Sequence, residues 1–301
     1  MKPLRLATRR SPLALLQAQY VQRRLADHGV VSELVHVDTS GDRHFDVPLT
    51  TLGGLGVFAL EIQRAVVRGE ADVAVHSAKD LPTATGEGLT FVSVPERRDG
   101  ADVLVGRSLA GLGPGATVAT GSPRRRALLL ERRPDLRIVE LRGNMSTRLA
   151  VAGHDGVDAV VAAAAALERL EMIDRVAERL DPSWFVPQIG QGALALEARS
   201  GDQVVHEFLA QINDVDAMNA VTCERAFLRE LGSGCSIPAG AHATCHNNEV
   251  ELRGVMIATD GSCSVRASLR GSDPVLVGTR LARTLRDELG GNSLLGWVVH
   301  A

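Results

Sequence analysis

Short apolar runs alternate with longer segments of helical period along most of this chain. That is the pattern of an α/β protein with largely parallel strands. Leu4–Thr8 reads as a strand, Pro12–His28 as a helix that stops at Gly29, and Val31–Val37 as the next strand. Phe58–Arg68 reads as a helix ending at Gly69, and Ala71–Val75 as a strand. A second unit then repeats the first: strand Val118–Thr120, helix Arg124–Arg133 stopped by Pro134, strand Arg137–Leu141, helix Ser146–Ala152 and strand Val157–Ala162. The two openings correspond, Ala7-Thr8-Arg9-Arg10-Ser11-Pro12 against Ala119-Thr120-Gly121-Ser122-Pro123-Arg124, and so do the strands Ala71-Asp72-Val73-Ala74-Val75 and Val157-Asp158-Ala159-Val160-Val161. The repeat is too long and too few in copies for a solenoid. It predicts two similar lobes facing a cleft.

After about residue 211 the pattern changes. A helix, Ala217–Leu231, leads into the small-residue turn Gly232-Ser233-Gly234, followed by alternating strands such as Val250–Arg253 and Ser264–Leu269 and a last helix near Arg280–Leu289. This predicts an α+β domain of about 90 residues, large enough for its own core. The expected division is residues 1–94 with 193–210 for the first lobe, 95–192 for the second, and 211–301 for the third domain.

Composition narrows the function classes. Of 301 residues 45% are apolar and 23% charged, as in a globular protein with a sizeable core. A net charge of −3 and only 3% aromatic residues argue against nucleic acid as a partner. The first residues lack the apolar stretch of a secretory signal, and the longest apolar run, Ala159–Leu167, is too short to span a membrane, so a cytoplasmic protein is expected. Cys223, Cys235, Cys245 and Cys263 show no C-x-x-C spacing, so no metal site is expected. In a reducing compartment they are free thiols, with Cys223, Cys245 and Cys263 expected to be buried apolar residues.

Of the 33 basic residues, only Lys2 and Lys79 are lysines. A lysine retained in mid-chain, in His76-Ser77-Ala78-Lys79-Asp80-Leu81-Pro82, suggests a position where a compact ammonium serves better than a planar guanidinium. Each strand–turn–Ser-Pro–helix unit offers a capped helix start, which favours anions. Arg9, Arg10 and Ser11 line one of them, and Ser122, Arg124, Arg125 and Arg126 the other. Arg142-Gly143-Asn144-Met145-Ser146-Thr147-Arg148 adds two more guanidiniums after a strand, where ligands collect in open α/β sheets. Without a P-loop or G-x-G-x-x-G turn, the natural ligand is a polycarboxylate rather than a nucleotide. Asp80 is then a lone carboxylate among cations, able to orient an N–H or stabilise a positive charge. Cys235, in Gly234-Cys235-Ser236-Ile237-Pro238, is an accessible thiol able to carry a covalent group. Gln188-Ile189-Gly190-Gln191-Gly192-Ala193 reads as a flexible crossover, a hinge where the chain returns to the first lobe.

In this order the pieces resemble the porphobilinogen deaminase (hydroxymethylbilane synthase) family over nearly the whole chain. The most specific matches are Ala7-Thr8-Arg9 with Ser11-Pro12-Leu13-Ala14, His76 to Pro82, Ser122-Pro123-Arg124-Arg125, Leu141-Arg142-Gly143-Asn144 with Thr147-Arg148-Leu149, Gly190-Gln191-Gly192-Ala193, and Gly234 to Pro238. The resemblance implies two lobes like those of periplasmic solute-binding proteins plus a third domain. In that domain Cys235 would hold a dipyrromethane cofactor by a thioether. It also implies addition of four porphobilinogen units, with loss of ammonia at each step, and release of hydroxymethylbilane for tetrapyrrole synthesis. Asp80 would be the catalytic carboxylate, stabilising the cation formed as ammonia leaves. Lys79, Asp80, Thr120, Ser122, Arg124, Arg125 and Arg142 would hold the cofactor. Arg9, Ser11, Arg142, Arg148, Arg169 and Gln191 would bind substrate. The implied partner is the small molecule alone, with a monomeric enzyme.

Two positions depart from the family. Many members carry a Lys where Leu55 stands in Gly53-Gly54-Leu55-Gly56, and many read Gly-Thr-Ser-Ser where this chain has Ala119-Thr120-Gly121-Ser122. A cation and a hydroxyl are missing, and each hydrogen bond to a charged group can be worth about 1.5–3 kcal/mol. A less active or specialised member fits the same sequence. The alternative is a non-catalytic two-lobed solute-binding or ligand-sensing protein for a polycarboxylate. Such a protein needs no reactive Cys.

Overall fold

The structure, a computed structural model, describes residues 2–38, 57–141, 143–232 and 238–294. The first lobe opens with β1 (Leu4–Thr8), α1 (Pro12–Ala26), β2 (Ser32–His36), α2 (Val57–Val67), β3 (Val73–Ser77) and β4 (Leu89–Ser93). The chain crosses to the second lobe as β5 (Asp102–Gly106), β6 (Thr117–Ala119), α3 (Pro123–Arg132), β7 (Arg137–Val139), α4 (Met145–Ala150), β8 (Ala159–Ala163), α5 (Ala164–Arg169) and β9 (Val176–Arg179). It returns to the first lobe as β10 (Leu194–Arg199) and α6 (Gln203–Ala210).

The two sheets are the same sheet built twice. Their orders are β2-β1-β3-β10-β4 and β7-β6-β8-β5-β9. In the first, β1 is parallel to β2 and β3, and β10 is antiparallel to β3 and β4. In the second, β6 is parallel to β7 and β8, and β5 is antiparallel to β8 and β9. The repeat expected from sequence therefore extends to an inserted antiparallel strand in each lobe. Short apolar runs such as Asp102–Gly106, buried on both faces, carry no alternation that would reveal them.

Both lobes open on the same local chemistry. Ser11 has extended backbone angles and its Oγ accepts from Ala14 N at 3.3 Å, with Pro12 opening α1. Ser122 does the same for α3, its Oγ accepting from Arg125 N at 3.4 Å, with Pro123 in the first turn. Each cap is worth about 1 kcal/mol. Leu6, Val21, Leu25, Val73, Leu194 and Leu209 fill one face of the first sheet, and Ala7, Ile62, Val66 and Ala74 the face under α2. The second sheet is packed by Leu104, Leu128, Leu129 and Phe185 on one side and by Val103, Leu149, Val160 and Leu167 on the other.

The third domain comprises α7 (Val215–Glu230), a three-stranded antiparallel sheet of β11 (Ala239–His246), β12 (Glu249–Ile257) and β13 (Ser264–Gly271), then α8 (Pro274–Arg283), a π-helical turn (Thr284–Glu288) and α9 (Gly291–Leu294). It docks on both lobes: Ala217 and Val221 of α7 pack with Ala59, Leu81 and Val94, while Val255 and Ile257 of β12 join the core under α3. The last long helix begins at Pro274, earlier than the expected Arg280, because Asp273 Oδ1 caps it by accepting from Val275 N and Leu276 N. The apolar run from 159 to 167 is not one element but β8 followed by α5. Cys223 and Cys245 are buried, but Cys263 is exposed because it lies in the turn leading to β13. Among the described residues, no helix is long and apolar enough to cross a membrane.

Candidate active site

β3 runs directly into a single 3-10 turn, Ala78–Asp80, and the extended Leu81 ends it before Pro82. The second crossover lies directly beneath that turn. Ala78 N donates to Ala193 O at 3.0 Å, and Gln188 Nε2 donates to Lys79 O at 3.4 Å. Gly190 has φ +73°, and a Cβ there would come within 2.8 Å of Ala78 C and 2.9 Å of Lys79 N. Only glycine permits this approach. The crossover is thus a packed strut under the turn, not the flexible loop expected from its glycines.

Cations from both lobes converge on the turn. Lys79 and Asp80 are half-buried at its tip. Burial pushes the Lys79 ammonium below its ordinary pKa, Asp80 opposes this, and Arg125 and Arg148 of the facing lobe add to it. Arg148 is itself pushed down, by burial and then by Arg125, against the pull of Asp80. Its Nε donates to Gly143 O at 2.8 Å in the turn before α4. Arg9 and Asp80 line a cavity of about 30 Å³ together with Gln17, His76 and Ser77. An anion-bearing ligand would relieve the crowding of like charge among Lys79, Arg125 and Arg148, and Asp80 is placed to meet any N–H or cation among its groups.

Asp80 is not the lone carboxylate expected. Asp102, fully buried at the start of β5, accepts from Arg124 NH2 at 2.7 Å and from Arg125 Nε and NH2 at 3.0 and 2.7 Å. Burial would raise its carboxyl, but the two guanidiniums hold it at about 2. The sequence signal for this anchor was weak, a single Asp opening an unrecognised strand.

Two residues expected at the ligand take part in this anchor. Arg124 is 3% exposed, and its terminal nitrogens go to Asp102 and to Val186 O at 2.7 Å. Gln191 is fully buried: Nε2 donates to Gly100 O and Asp102 Oδ1, and Oε1 accepts from Arg125. The strut carries Gln191, expected at the substrate, into the space between the two crossovers. Arg125 keeps a foot in both places, bonded to Asp102 and Val161 O yet electrostatically coupled to Lys79 and Arg148.

Thr120 is nearly buried, with its Oγ1 accepting from Ser122 N at 3.2 Å. The Thr120, Ser122 and Ser11 hydroxyls all accept backbone N–H groups and keep an O–H to donate. Arg169 of α5 donates to Gly192 O at 2.9 Å, and burial, with Arg98 nearby, brings its pKa down to about 10. Arg142, Cys235 and Leu55 lie outside the described residues. The other departure from the family pattern has a local cause: a Cβ at Gly121 would stand 2.9 Å from Leu141 O, so the backbone of the neighbouring chain occupies the space a side chain needs.

The third domain joins the crossovers through a second buried carboxylate. Glu224 of α7 accepts from Arg97 NH1 at 2.7 Å, Gly190 N at 2.6 Å and Ala243 N at 2.7 Å. Arg97 also donates to Gln191 O from Nε and NH2. Burial would raise Glu224, but Arg97 and then His242 hold it at about 2.

The family described as "Porphobilinogen deaminase, dipyromethane cofactor binding domain" matches residues 4–207, and "Porphobilinogen deaminase, C-terminal domain" matches residues 218–287. The porphobilinogen deaminase of Pelobacter propionicus is 44% identical over 301 residues, spanning 98% of this chain and 96% of that protein. That of Syntrophotalea carbinolica is 45% identical over 289 residues, spanning 94% of this chain and 92% of that protein. Among solved structures, the methionine-binding protein MetQ is similar at 16% identity and a TM-score of 0.41, over 72% of this chain and 90% of that one.

Proposed function

The chain belongs to the porphobilinogen deaminase family, and from that premise we propose how its own residues carry the reaction. It is a hydroxymethylbilane synthase of tetrapyrrole biosynthesis with a dipyrromethane cofactor domain. Family membership removes the alternative of a non-catalytic solute-binding module. The observation that carries the assignment of roles is that Arg148 of one lobe stands near both Lys79 and Asp80 of the other, with Arg125 beside Lys79 and Arg148.

The substrate carries acetate and propionate groups, a pyrrole N–H and an aminomethyl group. The crowded cations fit its carboxylates, and the cofactor's, since each carboxylate received would offset the mutual repulsion of Lys79, Arg125 and Arg148. Lys79, Thr120, Ser122 and Arg125, with Arg142, would hold the cofactor. Arg9, Ser11, Arg148 and Arg169 would receive the incoming unit. Cys235 would supply the thioether, and the cofactor would serve there as a primer bearing a nucleophilic pyrrole carbon. Asp80 would orient the pyrrole N–H and stabilise positive charge as the C–N bond breaks. Arg124 and Gln191 would act one step back, fixing Asp102 and through it Arg125.

We infer three domains, 1–94 with 193–210, 95–192, and 211–301, and a monomer working in the cytoplasm. The shared sheet topology of the two lobes supports this division, as does the cluster of α7, α8 and the three-stranded sheet in the third domain. The deciding experiment is the intact mass of the purified active enzyme, which should exceed the sequence mass by two linked pyrrole units. Cys235→Ser should lose both the addition and the turnover. An active enzyme of unmodified mass would overturn the assignment of Cys235.

A further inference from the structure

Beneath Asp80 lies a buried pair with no task in the scheme so far. His76, on β3 and 6% exposed, has Nε2 3.3 Å from Oε2 of Glu197 on β10, a contact too oblique to count as a hydrogen bond. Glu197 is fully buried, and its Oε2 accepts from Gln63 Nε2 of α2 at 2.8 Å. Its Oε1 has no hydrogen-bond partner among the described residues. Burial would push this carboxyl up, but His76 foremost, then Gln63 and the charge of Arg225 on α7, hold it below the usual range. A buried anion thus stands against an imidazole, and that imidazole shares with Asp80 the wall of the cavity of about 30 Å³. This volume has room for one or two waters among polar groups.

The established reaction has a proton to move. Each addition breaks one C–N bond and one pyrrole C–H bond and forms one C–C bond. From an aminomethyl group that arrives protonated, neutral ammonia leaves with the C–N electron pair, and the C–H pair returns to the ring, so one proton must leave the ring carbon. Ammonia must gain one proton to depart as ammonium. We propose that His76 and Glu197 form a proton store behind Asp80. Asp80 takes the proton from the ring carbon and passes it through cavity water to His76. Glu197 stabilises the imidazolium, and the proton returns by the same path to ammonia. His76 touches no substrate in this scheme and is a positioning and relay residue. The proposal rests on the role given to Asp80.

Three variants of the cofactor-loaded enzyme, assayed across pH, test it. The groups facing His76 are Glu197 from β10, Gln63 from α2, Asp80 from its turn, Arg9 from the segment before α1 and, farther off, Arg225 from α7. His76→Gln should lower kcat on the order of 100-fold, leave KM and melting temperature unchanged, and change the shape of the kcat profile across pH. Glu197→Gln should also lower kcat at unchanged KM, because it removes the anion that stabilises the imidazolium in the relay. Asp80→Asn is the reference. If it retains turnover, the role of Asp80 falls and the relay with it. If it is inactive while His76→Gln keeps the wild-type kcat and profile, the relay alone is overturned. Should His76→Gln fail to fold, Glu197→Gln decides: a lowered kcat at unchanged KM and melting temperature supports the relay, and a wild-type kcat ends it.

Discussion

Gln191 Nε2 donates to Asp102 Oδ1 at 3.0 Å, and this bond ties the two passages of chain between the lobes to each other. Replacing Gln191 by Leu leaves a carboxylate lone pair and the Gly100 carbonyl without that donor. The expected cost is about 1–3 kcal/mol of stability, read as a lower melting temperature, with KM for porphobilinogen unchanged. A raised KM at unchanged melting temperature would instead put Gln191 in contact with substrate.

Asp102 is the shared ion-pair partner of two buried guanidiniums, so Asp102→Asn should cost about 3–5 kcal/mol in a denaturant titration. A loss below about 1 kcal/mol would mean that water reaches Arg124 and Arg125.

The acid response has a fixed sign. The Asp102 and Glu224 carboxyls sit at about 2 in the folded protein, below ordinary values of 3.8 and 4.5. Their contribution is complete above those ordinary values and is lost as pH falls from there toward 2. The melting temperature should therefore hold from neutral pH down to about 5 and drop steeply below it. Glu224→Gln should start lower and fall less steeply. A profile that stays level down to about pH 3 would contradict both assignments.

Asp80→Asn preserves size and removes the charge. It should reduce kcat by about 10²- to 10³-fold while the melting temperature and the cation cluster's affinity for substrate carboxylates persist. Near-normal bilane formation would take Asp80 out of its role.

Gly121→Ser restores a hydroxyl common in the family but drives its Cβ against Leu141 O. The expected result is a loss of about 1–3 kcal/mol from overpacking and no gain in turnover. A faster and equally stable variant would show that the backbone between β7 and Arg142 yields easily.

Local chemistry and long-range geometry differed in how readily the sequence disclosed them. The paired Ser-Pro helix starts at Ser11 and Ser122, the lysine kept at Lys79 and the repeat of lobes are short-range patterns, and each could be read from neighbouring residues. The partner of Arg124 lies 22 residues away and that of Arg97 lies 127 away. No local pattern couples such distant positions, so Arg124 was read only as a ligand residue and Arg97 was not singled out at all. His76 and Glu197 were hidden for the same reason. Each sits in an ordinary strand, and only the antiparallel pairing of β3 with β10 brings them together.

The placement of β10 between β3 and β4 bears on how the polypeptide matures as it leaves the ribosome. When residue 180 has emerged, every strand of the second sheet is available, but the first still lacks the piece that links β4 to β3. The first sheet can therefore be completed only after the whole second lobe has been synthesised. A nascent chain stalled before Leu194 should expose an open sheet edge to chaperones.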